Sequence, residues 1–422
     1  MKFIIYTLGC KVNTYESGVM RDLLINHGYI ESKDDDADIY VVNTCTVTNT
    51  SDNKSLKVVR RLSKLKDKIV IVVGCMSQVS PELLKDLNVS IILGNSGKSE
   101  IIDYIEQYKK DKVKIIEVED IMSKSFEDMC LNNFNKTRAY VKIEDGCENF
   151  CSYCIIPYAR GKVRSKDPKT VINEITSLVN EGHKEIVLTG IHTGHYGADL
   201  KDYTFSKLLR EIEKIKGLER LRISSIEITE LDDEFLDTLK ASKILVDHMH
   251  IPLQSGSNEI LHLMNRKYDK KYFMDKIEKI REIRPNISIT TDVIVGFPSE
   301  TEELFNETLE TIDKIKFSKI HVFPFSLRKG TKAEEIENHI DGATKKARVR
   351  KLLDVSKKLE IEYFSKFIGK DVEFLPEIYK NGYLIGHTGN YLLIRKKGTI
   401  EDLNKINKAK IEKISYPYCD SI

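Results

Sequence analysis

Three cysteines with short spacing form the most informative chemical motif in the sequence. Residues 146–154 read GCENFCSYC, so Cys147, Cys151 and Cys154 follow a C-x3-C-x2-C pattern. A predicted strand over residues 139–143 ends just before them, which places the three thiols on one tight loop. Three thiolates can hold three corners of a cuboidal iron–sulfur cluster, whereas electron-transfer clusters normally take four. The fourth iron is then free to bind a reacting molecule.

A structural zinc ion is the alternative occupant of such a loop. Structural zinc sites are closed by four Cys or His ligands at characteristic spacings. The remaining candidates for a fourth ligand, Cys130 and His183, are both distant from the motif. The spacing therefore favours an iron–sulfur cluster over zinc.

Another set of cysteines is scattered in sequence and consists of Cys10, Cys45 and Cys75. Each one follows an apolar run that is predicted to be a parallel strand. The carboxyl ends of parallel strands meet at one edge of a sheet, where α/β folds build their sites. We therefore expect these thiols to converge and hold a second cluster by three ligands. The alternative is that they are small buried residues, as free cysteines often are. Cys130 and Cys419 fit neither set.

A cluster with one open iron is suited to radical chemistry. Once reduced, it can pass an electron to a bound sulfonium compound and release a carbon radical. The protein orients that cofactor and excludes side reactions. Such radicals attack C–H bonds that side-chain acids and bases cannot ionise.

The elements that position Cys10, Cys45 and Cys75 form a predicted doubly wound α/β domain over residues 1–107. Segments with helical spacing, such as 16–28 and 51–65, alternate with continuously apolar runs, which are typical of strands covered on both faces. These runs are residues 3–8, 39–42, 69–73 and 89–93. A charged, irregular stretch over residues 108–136 is interpreted as a linker.

Six strand signals, each except the last followed by a predicted helix, occupy the middle of the chain. They are residues 139–143, 185–188, 221–224, 249–253, 287–295 and 319–325. Repeated βα units predict a parallel sheet that curls into a barrel, and six units predict a partial (β/α)6 barrel that is open on one side. With a long trailing helix over 343–367, this domain spans residues 137–368.

The last segment, residues 369–422, is rich in strand signals and predicts a small antiparallel β-barrel. These signals are residues 372–379, 383–385, 391–394 and 411–416.

The composition limits the possible partners. The 422 residues include 67 Lys and Arg against 65 Asp and Glu, a net charge of +2. Any nucleic acid must therefore be bound by local basic patches. No run of about 18 apolar residues could span a membrane, and the first residues lack the pattern of a secretory signal. We expect a cytoplasmic protein whose cysteines are reduced.

Longer motifs resemble a known family. The C-x3-C-x2-C segment, with the aromatic residue Tyr153 before its last cysteine, is similar to the signature of radical S-adenosylmethionine enzymes. The full set resembles the methylthiotransferases and extends over the whole chain, including a C-terminal part similar to the RNA-binding TRAM barrel. The matching motifs are TLGCKVN at 7–13, NTC at 43–45, VGC at 73–75, DGCENFCSYCIIPYAR at 145–160, GKVRS at 161–165, HIPLQSGS at 250–257, MNR at 264–266 and DVIVGFPSET at 292–301.

This resemblance implies two [4Fe–4S] clusters. The C-x3-C-x2-C cluster would bind S-adenosylmethionine and make the 5′-deoxyadenosyl radical, with Tyr153 near the adenine. The other cluster would carry the sulfur or methylsulfide to be transferred, and a second S-adenosylmethionine would supply the methyl group. The metal ligands and catalytic residues would be Cys10, Cys45, Cys75, Cys147, Cys151 and Cys154.

Within the family, the opening motif over 7–13 is similar to the branch that acts on N6-threonylcarbamoyladenosine at position 37 of tRNA and adds methylthio at C2. The other branches act on isopentenyladenosine in tRNA or on an aspartate of a ribosomal protein. A rival of another class is a non-catalytic iron–sulfur protein that binds RNA or senses redox state. The expected partners are the tRNA anticodon loop and a low-potential electron donor.

Loops at the carboxyl edge of the barrel strands are expected to surround the cofactor. Gly190 either allows the methionine end of S-adenosylmethionine to approach the backbone closely or forms a tight turn. His192 with His195 could suggest a metal site, but a loop role is favoured. Arg160, Lys162 and Arg164 could meet a phosphate or carboxylate. The expected cofactor contacts are Tyr153, Gly190, His192, Ser225, Gln254, Asp292 and Gly296.

A basic run at the start of the long helix is the candidate RNA-binding surface. It matches either a phosphate-tracking surface or a solvated helix face. The run contains Lys345, Lys346, Arg348, Arg350 and Lys351. In the terminal barrel, Tyr379, Tyr383 and Tyr391 are either stacking platforms for unpaired bases or ordinary strand residues.

Overall fold

The computed structural model describes residues 1–34, 36–131, 134 and 136–421. The linker predicted over 108–136 contains residues 132, 133 and 135, and the terminal domain predicted over 369–422 contains residue 422; these four lie outside the described residues. None of the described helices combines the length and the apolar character needed to cross a bilayer.

A six-stranded parallel sheet forms the N-terminal region, with strand order β2-β1-β3-β4-β5-β6. Its strands are buried on both faces, since Ile39 and Val41 pack into one core and Tyr40 and Val42 into another. Helices cover both faces, which confirms the doubly wound fold. The elements are β1 Lys2–Thr7, α1 Lys11–Asn26, β2 Ile30–Glu31, β3 Ile39–Thr44, α2 Asn49–Leu62, β4 Ile69–Gly74, α3 Cys75–Val79, α4 Glu82–Lys85, β5 Ile91–Leu93, α5 Ile101–Asp111 and β6 Ile115–Glu117.

The edge strands β2 and β6 have no counterpart in the sequence prediction. β6 lies within the stretch that was expected to be irregular, and it pairs in parallel with β5 through Ile115↔Ile91 and its neighbours. Its residues are half-buried or exposed, so the strand carries no continuous apolar signal. It forms because the edge of β5 offers unpaired backbone groups.

The middle of the chain forms the predicted partial barrel. Its six parallel strands follow chain order, as one sheet β7-β10-β11 and a second sheet β12-β13-β14, linked by a bridge between Leu221 and Leu245. Among the described residues, β7 and β14 do not pair with each other, so the barrel is open between them. A short hairpin, β8 with β9, was not predicted.

The barrel region and its trailing helix contain the following elements. They are β7 Arg138–Lys142, β8 Glu144–Asp145, α6 Ile156–Arg160, β9 Arg164–Ser165, α7 Pro168–Asn180, β10 Glu185–Thr189, α8 Phe205–Ile212, β11 Arg220–Ile223, α9 Asp233–Ala241, β12 His248–His250, α10 Asn258–Leu263, α11 Lys270–Ile283, β13 Ser288–Val295, α12 Glu302–Ile315, β14 Lys319–Pro324 and α13 Gly342–Ser365.

Helices from outside the barrel pack at its open side. Tyr15 of α1 and Leu352 and Leu359 of α13 belong to the same hydrophobic core as the barrel strands. The buried Tyr15 hydroxyl donates to the Met129 carbonyl over 2.6 Å and to Glu174 Oε1 over 2.8 Å. Helix α1 of the N-terminal region therefore takes part in the core of the barrel.

The terminal region is a closed barrel with strand order β15-β16-β17-β19-β18. It was predicted to be antiparallel, but β17 and β19 pair in parallel through Ile394↔Cys419. A closed ring of five strands cannot alternate direction throughout, so one pair must be parallel. Cys419 is a buried member of the barrel core. The strands are β15 Asp371–Lys380, β16 Tyr383–Thr388, β17 Leu393–Lys397, β18 Asn407–Ser415 and β19 Tyr418–Ser421.

A buried ion pair attaches α13 to the loop that follows β13. Arg348 Nη1 lies 2.8 Å from Glu300 Oε2 and donates to the Glu300 carbonyl, also over 2.8 Å. The side chains are 6% and 1% exposed. In this arrangement the Arg348 guanidinium is engaged inside the protein, although the sequence placed it in the RNA-binding run.

Arg348→Met is expected to destabilise the protein because Glu300 would be left as an unpaired buried charge. Loss of one partner of a buried pair costs about 3–5 kcal/mol. Urea unfolding followed by circular dichroism measures this loss. Arg350→Met is the matched control, since Arg350 is exposed on the same helix. Equal stability of the two variants would contradict a structural role for Arg348.

Candidate functional site

Cys10, Cys45 and Cys75 stand at the carboxyl ends of three adjacent strands. Cys10 precedes α1, Cys45 directly follows β3, and Cys75 is the first residue of α3 after β4. Because β1, β3 and β4 are neighbours in the sheet, the three cysteines stand at the same edge, and Cys75 and Cys10 are near enough to affect the pKa of Cys45. Gly9 allows this approach: its φ is +104°, and a Cβ there would lie 2.9 Å from Cys45 Sγ.

Without a metal, the surroundings of these thiols favour the protonated form. Burial, together with the neighbouring Cys75 and Cys10, raises the pKa of Cys45 to about 11. Burial also raises the pKa of Cys10, which Arg160 opposes. Metal ligation requires thiolates, so a positively charged metal centre would reverse these shifts.

The site formed by Cys10, Cys45 and Cys75 is called the first cysteine site below. Arg160, at the end of α6 in the barrel, reaches across to it and is fully buried. Its Nε donates to Cys75 Sγ over 3.4 Å, and its Nη2 donates to Asn13 Oδ1 over 2.7 Å. Asn95 Nδ2 lies 3.5 Å from the same Cys75 sulfur. The sequence interpretation of Arg160 as a contact for phosphate or cofactor is therefore replaced by a contact to a cysteine ligand.

Glu16 of α1 is the centre of the network that holds Arg160. Its carboxylate lies 2.5 Å from Arg160 Nη1, 2.7 Å from Lys98 Nζ and 2.8 Å from Lys142 Nζ. Burial alone would raise the pKa of Glu16, but Arg160, Lys142 and Lys98 outweigh burial and hold it well below its usual range. Asp145 also lies 2.6 Å from Lys142 Nζ.

Cys147, Cys151 and Cys154 occupy one loop after β8. The Cys147 amide donates to the Gly161 carbonyl over 3.0 Å, and the Cys154 amide donates to the Cys151 carbonyl over 2.9 Å. Gly146 has a φ of +97°, and a Cβ there would lie 1.8 Å from the Lys162 carbonyl oxygen, so the turn requires glycine.

Two side chains approach these loop sulfurs. Arg266 Nη1 donates to Cys151 Sγ over 3.3 Å, and Arg266 is also paired with Glu227. His192 Nδ1 lies 3.8 Å from Cys147 Sγ. Burial raises the pKa of the Cys154 thiol to about 12, and Cys151 raises it further. Arg266 was quoted only as part of a motif in the sequence, with no role.

The sulfurs of neither cysteine set are as close together as the ligands of a single metal ion. The tetrahedral ligands of one zinc ion, each about 2.3 Å from the metal, lie about 3.8 Å apart. Neither cysteine set is as tight as the one group of three ligand atoms within 4.8 Å of each other among the described residues, which is His192, His195 and Glu230. Yet the sulfurs are near enough to affect each other's ionisation.

The structure gives the His192/His195 pair a carboxylate partner that sequence reasoning lacked. Glu230 contacts His192, and the two imidazole rings stack with centroids 4.0 Å apart. Burial lowers the pKa of His192 to about 4, which keeps its imidazole neutral.

A cavity of about 760 Å³ fills the open side of the barrel. Three of the predicted cofactor residues, Gly190, Ser225 and Asp292, line it together with Cys10. Glu360 of α13 and residues of the terminal barrel complete its wall. All regions of the chain therefore contribute to this central cavity.

The other predicted cofactor residues lie outside the lining of this cavity. Gln254 has a φ of +65° and its amide donates to the Asp292 carbonyl over 2.9 Å. The Gly296 amide donates to Glu300 Oε2 over 2.6 Å. Tyr153 packs edge-on against Phe297 with ring centroids 6.4 Å apart.

The basic run of α13 divides into buried and exposed members. Lys345 covers Gly296 with its methylene groups and places its ammonium 5.2 Å from the centroid of the Phe325 ring. Lys346, Arg350 and Lys351 are exposed. Of the three tyrosines, Tyr379 and Tyr383 are exposed. The ring of Tyr391, in contrast, packs 4.1 Å from the Arg222 guanidinium in the cavity wall.

Two family models match separate parts of the chain. Residues 141–312 match the Radical SAM superfamily. Residues 2–94 match a family described as Uncharacterized protein family UPF0004. Each matched segment contains one of the two cysteine sites.

Curated relatives match nearly the whole chain. It is 45% identical to "Threonylcarbamoyladenosine tRNA methylthiotransferase MtaB" of Bacillus subtilis (strain 168), over 98% of this chain and 94% of the relative. It is 40% identical to the protein of the same name from Thermotoga maritima, over 92% and 89%. It is 36% identical to "tRNA-2-methylthio-N(6)-dimethylallyladenosine synthase" of Clostridium novyi (strain NT), over 98% and 94%.

Among solved structures, the chain resembles the radical S-adenosylmethionine methyltransferase TsrM from Kitasatospora setae. The TM-score is 0.58 at 16% identity, and the match covers 76% of this chain and 72% of that one. This similarity concerns the fold. The family model and the curated relatives show that the chain is an enzyme that uses S-adenosylmethionine and a [4Fe–4S] cluster. The chain belongs to the radical S-adenosylmethionine methylthiotransferase family.

Proposed function

We propose that this enzyme adds a methylthio group to C2 of N6-threonylcarbamoyladenosine at position 37 of tRNA. It would use two [4Fe–4S] clusters and two molecules of S-adenosylmethionine, one as radical source and one as methyl donor. The observation that carries this proposal is the presence of two separate three-cysteine sites, one of which contributes Cys10 to the wall of the central cavity. The names of the relatives at 45% and 40% identity support the choice of nucleoside.

Each cysteine set supplies three thiolates and leaves room for one reacting ligand. When bound, the cluster at the C-x3-C-x2-C loop would supply the electron that cleaves S-adenosylmethionine into methionine and the 5′-deoxyadenosyl radical, and the other cluster would supply the sulfur. The side chains nearby stabilise the ligands: Arg266 donates to Cys151, while Arg160 and Asn95 donate to Cys75. Hydrogen bonds from a cation to a thiolate favour the ionised form.

The central cavity is the proposed place for the target base. Cys10 lines it beside Gly190, Ser225 and Asp292, so a base there would lie between the first cysteine site and the barrel edge. Gly190 leads into the loop in which His192 approaches Cys147. We expect Tyr153, His192, Gln254 and Gly296 to contribute to cofactor binding from the adjoining loops.

The proposed RNA-binding surface combines the terminal barrel with α13. Exposed aromatic rings can stack on unpaired bases, and exposed cations can track phosphates. The exposed members are Tyr379, Tyr383, Lys346, Arg350 and Lys351. A low-potential electron donor and a cytoplasmic location complete the proposal.

The test of the substrate is mass spectrometry of tRNA nucleosides from cells that lack this chain. We expect the methylthio form of threonylcarbamoyladenosine to disappear and to return when the gene is restored. Restoration with Cys45→Ala is expected to fail, and restoration with Cys130→Ala to succeed. Loss of a methylthio-dimethylallyl nucleoside instead would move the activity to that branch. An unchanged nucleoside profile would indicate the ribosomal-protein substrate.

Counting iron tests the two clusters and excludes the non-catalytic alternative. Anaerobically reconstituted protein is expected to hold about eight irons per chain, as two four-iron clusters require. Cys45→Ala should hold about four irons and still release 5′-deoxyadenosine from S-adenosylmethionine. Cys151→Ala should also hold about four irons but release none.

The control for both cysteine variants is Cys130→Ala, since Cys130 is exposed and belongs to neither site. It should keep all the iron and the cleavage activity. A wild-type protein with four or fewer irons and no cleavage of S-adenosylmethionine would contradict the proposed function.

A further inference from the structure

Four Lys, Asp or Glu side chains line the wall of the central cavity. Among the described residues, Lys11 is the one of these four that has no hydrogen-bond or ion-pair partner. The other lysine there, Lys319, lies 3.0 Å from Glu360 Oε1. The remaining carboxylate, Asp292, lies 3.3 Å from His250 Nε2. Within the described part of the chain, Lys11 Nζ makes neither a hydrogen bond nor an ion pair, although the residue lines the cavity next to Cys10.

The neighbours of Lys11 make its end of the cavity electropositive. Arg138 and Arg222 are the charged side chains that act on it most strongly, together with the Tyr391 hydroxyl. Both guanidinium groups are already satisfied: Arg138 is 2.9 Å from Glu377, and Arg222 is 2.8 Å from Glu185. Lys11 is therefore the cation in this group that remains available to an incoming anion.

A second unpartnered polar group lies at the same end. His248 lines the cavity, is 6% exposed, and its Nδ1 has no hydrogen-bond partner within the described part of the chain. Its ring packs 4.3 Å from the Tyr391 ring, beside the two arginines. A buried polar atom without a partner is costly unless a ligand satisfies it.

The two kinds of nucleoside named by the relatives differ in charge. A threonylcarbamoyl group ends in a carboxylate, whereas a dimethylallyl group is a neutral hydrocarbon. A hydrocarbon placed at this end would take water from the Lys11 ammonium and give nothing in return. A carboxylate would form a charge-assisted hydrogen bond with it.

We propose that Lys11 binds the threonyl carboxylate of the target nucleoside and thereby selects it over nucleosides with a neutral substituent. This proposal rests on the proposed function. Because Lys11 directly follows Cys10, a carboxylate held by its ammonium would also fix the base next to the first cysteine site. Lys11 is in this sense a specificity-determining residue.

The test uses two anticodon stem-loop RNAs that differ only in that carboxylate. One carries threonylcarbamoyladenosine at position 37, and the other carries its methyl ester. Their dissociation constants are measured by fluorescence anisotropy with the reconstituted enzyme. The wild type should bind the acid about 10- to 100-fold more tightly than the ester, the usual range for a hydrogen bond to a charged group.

Variants assign this preference to Lys11. Lys11→Gln should bind acid and ester equally, whereas Lys11→Arg should keep most of the preference. Lys319→Gln is the matched control: its lysine lines the same cavity but is paired with Glu360, so the preference should be unchanged. In turnover, Lys11→Gln should raise the KM for the acid RNA far more than it lowers kcat.

Several results would overturn the assignment. One is a wild-type enzyme that binds acid and ester equally, which requires no variant. Another is a Lys11→Gln enzyme that keeps the wild-type preference. A third is loss of iron from Lys11→Gln, which would assign Lys11 to the cluster site instead.

Failure of the proposed function gives a different pattern. A wild-type enzyme that modifies dimethylallyladenosine RNA and leaves threonylcarbamoyladenosine RNA unmodified would refute the substrate itself. If it modifies the threonylcarbamoyl RNA but does not distinguish acid from ester, only the role of Lys11 fails.

Discussion

The contact between the Arg160 guanidinium and Glu16 holds the two halves of the site together. Arg160 belongs to the segment that follows the C-x3-C-x2-C loop, Glu16 belongs to α1 of the N-terminal sheet, and the same guanidinium donates to Cys75. Around this contact are four cations and two carboxylates, all buried. They are Lys98, Lys142, Arg160, Arg164, Glu16 and Asp145. Such a surplus of buried positive charge is unfavourable unless anions compensate it.

Ionised cysteine ligands would supply the missing negative charge. Burial alone would lower the pKa of Arg160, but neighbouring anionic groups hold it well above its usual range. Cys75 has the largest effect among these groups. Metal binding deprotonates thiols. Filling the first cysteine site would therefore also stabilise the group of six buried charged residues around the Arg160–Glu16 contact. Occupancy of this site by a cluster would thereby favour the docking of the N-terminal sheet on the barrel.

The open barrel has a related consequence. A complete eight-unit barrel fills its interior with side chains, but here α1, α13 and the terminal barrel close the gap between β7 and β14. The resulting cavity is lined by polar residues of all regions, such as Thr290, His321 and Tyr391. A substrate held there would contact residues from every region, so its binding would depend on their correct arrangement.

The sequence predicted those features that follow from local pattern. Apolar runs located the parallel strands, and strand ends located Cys10, Cys45 and Cys75, because the carboxyl ends of parallel strands share an edge. The fold class and family were confirmed. Short edge strands such as β6 were missed because pairing with a neighbour, and not their own residues, creates them.

Charged residues were the least predictable part. Glu16, Lys98 and Arg160 are distant in sequence, and each resembles an ordinary surface charge until the fold buries it. For the same reason Arg348 was grouped with its exposed neighbours in the basic run. Lys11 was quoted within a motif, but the lack of a partner that marks it is visible only in three dimensions.

The most direct test of this account is the iron content of Arg160→Gln. We expect it to fall from about eight to about four per chain, with loss of methylthiolation and continued release of 5′-deoxyadenosine, because the first cysteine site loses its support. The exposed neighbour Lys162 provides the control variant Lys162→Gln, which should behave as wild type. An Arg160→Gln enzyme with all its iron and normal methylthiolation would contradict the account.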